Sequence, residues 1–167
     1  MTEKRLDYER SSFRESMVEH AFIADLQQEA WFRHQTTIEI LRPEVDDSGY
    51  DIVAWFNGVV RYIQLKASRA DGRAVGQNVN IKLADKPGGC VIWLRYRDNG
   101  DFRVSFEYLF FEDMGSLEQR RSARHTKGNA QGFKAERPRI RVVGKAAFEP
   151  VASAEELMTR LFGKHGG

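Results

Sequence analysis

One cysteine, Cys90, stands among 167 residues, so an intramolecular disulfide is excluded. It lies in the apolar run Cys-Val-Ile-Trp-Leu, where a buried strand thiol is expected. No stretch approaches the length of a membrane span, and the polar N-terminus Met-Thr-Glu-Lys-Arg-Leu-Asp-Tyr-Glu-Arg has no apolar signal region. A cytoplasmic protein with no membrane partner is the expectation. Net charge is nearly absent too: +2 is too small to argue for any partner by itself. The four histidines, His20, His34, His125 and His165, form no ligand spacing, and with one cysteine there is no Cys-x-x-Cys, so a zinc site is not expected. Gly128-Asn-Ala-Gln-Gly132-Phe-Lys lacks the strand-loop-helix setting and the Lys-Ser/Thr ending of a phosphate loop, and no Gly-x-Ser-x-Gly elbow occurs.

What is present centres on residues 49–66, Gly-Tyr-Asp-Ile-Val-Ala-Trp-Phe-Asn-Gly-Val-Val-Arg-Tyr-Ile-Gln-Leu-Lys. Asn57-Gly58 between two apolar runs is a strong signal for a hairpin with a type I′ turn. Asp51 opens its first strand. Gln64 and Lys66 close the second, two residues apart and therefore on one face. Burying an unpaired ammonium is costly, so Lys66 at the end of an apolar strand implies a nearby carboxylate.

Around the hairpin, Ser11 or Ser12 is placed to cap a helix, with Glu15 as capping-box partner of Ser12, and the helix runs to about Trp31. Val18, Phe22, Ile23, Leu26 and Ala30 share its apolar arc, and Glu19 falls inside that arc. Thr36 to Leu41 reads as a first strand. Glu44, Asp46 and Asp47 make an acidic turn before the hairpin, with Glu44 a spare metal contact. After a polar connection from Ala67 to Gln77, Asn78 can cap a short helix, although Val79-Ile81-Leu83 also fits a strand. Cys90 to Tyr96 and Phe102 to Phe106 read as strands joined by a turn at Asp98-Asn-Gly-Asp101. Phe110 to Ala135 shows no sustained period and reads as a long loop with one helical turn. Arg139 to Val143 fits a short edge strand, and Ser153 caps a last helix, Ala154 to Phe162.

The plan is an α/β or α+β fold: one mixed sheet of four to five strands flanked by helices, as one domain over residues 1–167, its core about 11–110. Its charge is unevenly spread. Arg120, Arg121, Arg124, Lys127, Lys134, Arg137, Arg139 and Arg141 face one acid, Glu136. Arg124, His125, Lys127, Lys134, Arg137 and Arg139, with Gly128, Gly132, Asn129 and Phe133 between them, are candidates for a nucleic-acid strand. Ser68 and Gln77 are further polar groups able to position a phosphate.

Hydrolysis of a phosphodiester with a divalent metal needs hard oxygen ligands and a cation near the attacking water. Asp51, the Gln64 side-chain carbonyl, the Leu65 backbone carbonyl and Lys66 offer these on one hairpin, and Glu19 projects toward them from the first helix. This arrangement resembles the PD-(D/E)xK nuclease superfamily of restriction endonucleases, Holliday-junction resolvases and repair nucleases. Gly49-Tyr50-Asp51 matches the acidic half, and Ile63-Gln64-Leu65-Lys66 the second half. The resemblance implies a restriction-endonuclease-like core, Mg²⁺ or Mn²⁺ as cofactor, and DNA as substrate, with RNA left open and a homodimer as a plausible assembly. It also implies roles: Asp51 the main metal ligand, Gln64 the second, Leu65 through its carbonyl, Lys66 polarising the water, and Glu19 assisting the metal. Two departures stand out. Gln64 takes the place of the commoner Asp or Glu, which removes a negative charge and weakens Mg²⁺ binding, and Tyr50 stands where the family name has proline. The alternative is the same fold acting as a nucleic-acid or protein binding module without cutting.

Overall fold

The computed structural model describes residues 10–45, 47–101 and 103–164. Asp46 of the acidic turn, Phe102 of the expected strand, His165 and most of the polar N-terminal stretch lie outside these residues. The class is α+β. A first helix, α1 (Ser11–Gln28), runs into a single π-helical stretch, Glu29–Arg33. Among the described residues nine strands follow: β1 (Glu39–Leu41), β2 (Ile52–Phe56), β3 (Val59–Arg69), β4 (Gly76–Asn80), β5 (Gly89–Asp98), β6 (Val104–Phe111), β7 (Ser122–Arg124), β8 (Glu136–Gly144) and β9 (Glu149–Val151). Helix α2 (Ala154–Phe162) follows β9. Six strands form one mixed sheet in the order β1-β2-β3-β5-β6-β9, and three form a second in the order β4-β8-β7.

The hairpin β2–β3 begins the architecture. Asn57 and Gly58 have φ of 47° and 82°, as a type I′ turn requires at both central positions, and Phe56 pairs with Val59 across it. β3 then pairs in parallel with β5, which demands a crossover. That crossover carries β4 and then a 3₁₀ turn, Ile81–Asp85, so the short helix forms, while of Val79, Ile81 and Leu83 only Val79 lies in a strand. The cap is Asn80, not Asn78: its side chain accepts from the Lys82 N–H at 3.0 Å.

The main sheet is buried on both faces, but by different layers. Val18, Phe22, Leu26 and Ala30 of α1 and Leu157, Met158, Leu161 and Phe162 of α2 pack on Ile52, Ile63, Ile92 and Phe110. Val79, Leu83, Leu117 and Val143 cover the opposite face over Val91, Trp93, Leu109 and Phe111. β5, between the layers, is accordingly apolar without alternation from Cys90 to Leu94. The expectation of four or five strands between helices is therefore corrected: the sheet has six strands, and a small second sheet lies where a helical layer was expected.

Three local expectations also change. Arg10 is the N-cap of α1 and makes no side-chain cap bond, so the capping box from Ser12 to Glu15 does not form. The segment from Phe110 to Ala135 holds the expected helical turn, a 3₁₀ turn at Met114–Ser116, but also the end of β6 and all of β7, and is less loop-like than expected. β8 is nine residues long and central in the small sheet, not an edge strand. Pro138 is tolerated there because the β7–β8 register shifts between Ser122 and Ala123, leaving it at an irregularity. At the C-terminus expectation and structure coincide, since the Ser153 side chain accepts from the Glu156 N–H at 3.1 Å at the start of α2.

Cys90 is fully buried, and burial pushes its thiol from the ordinary 9.0 up to about 12, against the opposing pull of nearby Arg61. A raised thiol pKa favours the protonated fold, so its contribution to stability is whole below the unfolded value and falls as pH rises from about 9 toward 12. In the native protein Cys90 should resist a thiol reagent at about pH 8 and react promptly once denaturant is added. Reaction at equal rates in both states would contradict this burial.

Candidate functional site

β2 is shorter than β3, and the site lies where β2 begins, away from the Asn57-Gly58 turn. The Asp51 N–H donates to the Ile63 carbonyl at 2.9 Å, continuing the ladder one residue before β2. Its carboxylate Oδ2 then accepts the Leu65 N–H at 2.6 Å, taking the position a further backbone carbonyl would have held. Beyond this point β3 runs on to Arg69, so Lys66 sits within the strand and not at its end. The Gly49 turn sets up this entry: its φ is +80°, and a Cβ there would meet the Leu83 nitrogen at 3.1 Å and Lys82 Cβ at 3.2 Å.

A cavity of about 340 Å³ opens beside this edge. Asp51, Leu65, Lys66 and Ala67 line it from the hairpin, Glu15, Val18 and Glu19 from α1, and Gln77 from β4. Glu15 and Glu19 are one helical turn apart on the same stripe, a pairing of like charges that is unfavourable unless a cation intervenes. Arg42 supplies one, its guanidinium 2.6 Å from the Glu19 carboxylate. Arg33, further along, pairs with Glu29 at 2.7 Å.

Alternation along β3 separates its side chains. Ile63 and Leu65 belong to the helix-side core, and Tyr62 to the opposite one, so Gln64 and Lys66 face the small sheet. Gln64 is nearly buried and does not line the cavity; its Oε1 accepts the Asn80 N–H at 3.2 Å. Lys66 does line it, and also lines a second cavity on the far side. The structure thus brings Glu19, Asp51, Leu65 and Lys66 around one opening, and holds Gln64 behind it as a tie between β3 and β4.

The donor set is hard. The carboxylates of Glu15, Glu19 and Asp51 and the backbone of Leu65 offer oxygen, which suits a Mg²⁺ or Mn²⁺ ion that keeps several waters. Among the described residues no three His, Cys, Asp or Glu side chains converge closely enough to hold a metal by themselves.

The other candidates are placed elsewhere. Ser68 Oγ accepts the Trp93 indole N–H at 2.8 Å and serves the core. Glu44 is exposed on the bend before the hairpin. Asp47 bonds Lys82 at 3.0 Å, and that contact holds its carboxyl below the usual range. Arg124, His125, Lys127, Lys134, Arg137 and Arg139 are all exposed on the β7–β8 hairpin and its connection. There Asn129 Oδ1 accepts the Gln131 and Phe133 N–H groups, shaping a tight loop with Phe133 exposed at its end. None of these six lines the cavity of Asp51. His34 packs edge-on against Phe56 with ring centroids 5.4 Å apart.

Glu15 was missed as a site residue because its spacing from Ser12 mimics a capping box. The helical spacing of Glu15 and Glu19 was the available signal. Arg121, which lines the second cavity beside Lys66, was hidden within a basic run that reads the same throughout. Among the described residues no helix is long and apolar enough to cross a membrane. Comparison of the chain with protein-family models, with curated proteins and with solved structures finds no match.

Proposed function

We propose that this chain is a metal-dependent nuclease of the PD-(D/E)xK kind, with a restriction-endonuclease-like core, that hydrolyses DNA phosphodiester bonds. One observation carries the reading: Asp51, Leu65 and Lys66 of the hairpin and Glu19 of α1 line the same cavity from two separate elements. Carboxylates at an opening beside a lysine are what hydrolysis of a phosphodiester needs.

In this reading Asp51 is the principal metal ligand, fixed in orientation by the Leu65 N–H. A bound Mg²⁺ or Mn²⁺ would stabilise charge on the phosphate and make water a better nucleophile. Lys66 orients the attacking water from the shared wall of the two cavities. Glu19 is close enough to the same opening to act through water, and Arg42 tempers its charge. Gln64 supports from behind, since its carbonyl oxygen is engaged by Asn80.

That engagement also favours a second reading, a DNA-binding module that does not cut. A cleavage panel of labelled duplex, branched and single-stranded DNA and RNA, with Mg²⁺ or Mn²⁺, separates the two. Wild type should cleave at least one DNA form, and Lys66→Ala should lower the saturated rate by about 10²–10³-fold. If wild type and variant leave every substrate equally intact, the hydrolase reading is lost.

A further inference from the structure

A second cavity, of about 480 Å³, shares Lys66 and Gln77 with the first. The two differ in sign. Glu15, Glu19 and Asp51 give the first an acidic lining, whereas the charged side chains of the second, among the described residues, are Lys66 and Arg121. A cation-attracting opening and an anion-attracting one thus meet at a common wall.

The second cavity is also built for close approach. Gly76 of β4 faces Gly144 of β8 in the ladder, so bare backbone forms part of its surface. A Cβ at Gly76 would lie 2.6 Å from the Val143 carbonyl oxygen, whereas one at Gly144 would meet nothing within 4 Å, which leaves open space above that backbone. Two backbone bonds fix the rim: Val142 N–H to the Arg121 carbonyl at 2.9 Å, and Lys145 N–H to the Val75 carbonyl at 2.8 Å. Val75 itself is strongly exposed and offers an apolar edge beside the cations. Arg121 stands at the base of the β7–β8 hairpin, whose exposed basic residues continue outward from it.

We infer that this second cavity is a subsite for a phosphate of the DNA strand adjacent to the one being cut, with Arg121 as its cationic contact. The inference rests on the proposed nuclease reading and adds the path of the substrate: across the Asp51 opening, past Lys66 and Gln77, to Arg121. A guanidinium suits this place because it donates to two phosphate oxygens at once. Nothing in such a contact reads bases, so the subsite positions DNA without selecting sequence.

The test uses the full chain and a short labelled duplex, with binding followed by fluorescence anisotropy across a salt series and cleavage followed at saturating DNA. Arg121 is exposed, so Arg121→Gln should fold and keep the thermal midpoint of wild type. It should bind about tenfold more weakly, with the slope of log K against log salt shallower by about one. Arg121→Lys should recover most of the slope, and the saturated cleavage rate should stay within about twofold in both variants, as expected of a contact that contributes binding alone. Unchanged affinity in Arg121→Gln, or weaker binding with an unchanged slope, overturns the subsite while leaving the nuclease reading intact. A wild-type protein that neither binds nor cuts DNA removes both, and is recognised by its own inactivity.

Discussion

On the proposed metal-dependent reading, Mn²⁺ is expected to stabilise the wild-type protein and Asp51→Asn to abolish that stabilisation. A ligand bound only by the folded state raises stability by about 2.7 kcal/mol at a hundred times its dissociation constant. For a chain of this size that is a rise of about 5–10 °C in the thermal midpoint. The asparagine can still accept the Leu65 N–H that Asp51 Oδ2 takes at 2.6 Å, so the local ladder survives while the charge is lost. Cleavage should fall by more than about 100-fold in the same variant, since even residues that only orient a ligand cost about 10–100-fold when altered. Equal Mn²⁺ stabilisation in variant and wild type would remove Asp51 from the metal site. Absence of stabilisation in both would favour the non-cutting module.

Phe22→Ala should produce the largest loss of stability, about 3–5 kcal/mol. Phe22 is fully buried in the core between α1 and the main sheet, with its ring centroid 6.3 Å from that of Tyr108. Truncation leaves a void that neither the sheet nor the helix can close. The same helix carries Glu15 and Glu19 into the site, so metal-dependent stabilisation should weaken as well. Phe13, on the same helix but 74% exposed, supplies the control: Phe13→Ala should change stability by less than about 0.5 kcal/mol. Chemical denaturation of the three proteins, with comparable slopes, measures both. A loss below about 1 kcal/mol for Phe22→Ala would mean that α1 is not packed as described.

The parts of the fold that were legible are those whose signal is local. Asn57-Gly58 announces its own turn because two successive residues must adopt positive φ. Ser153 and the apolar spacing of Leu157, Leu161 and Phe162 define α2 for the same reason: the cap and the buried stripe lie within one short segment. β5 was readable because burial on both faces leaves a continuous apolar run. The basic region was not. Within it Arg137, Arg139 and Arg141 alternate with Pro138, Ile140 and Val142, which marks a strand, but only Val143 is buried, so nothing local distinguishes a central strand from an edge strand.

The candidate site divides in the same way. Sequence alone placed Gln64 and Lys66 on one face of a strand, Asp51 at the start of its neighbour and Glu19 on the inward side of a helix, because backbone periodicity fixes those directions. Only the tertiary structure decided which of them share an opening. Gln64 was turned to Asn80 by the crossover strand β4, and Glu15 was brought to the cavity by the packing of α1 on the sheet. Arg121 came to stand beside Lys66 through the pairing of β8 with β4. Each depends on contacts between residues from different elements of the chain, and the sequence around any one of them carries no trace of its distant neighbour.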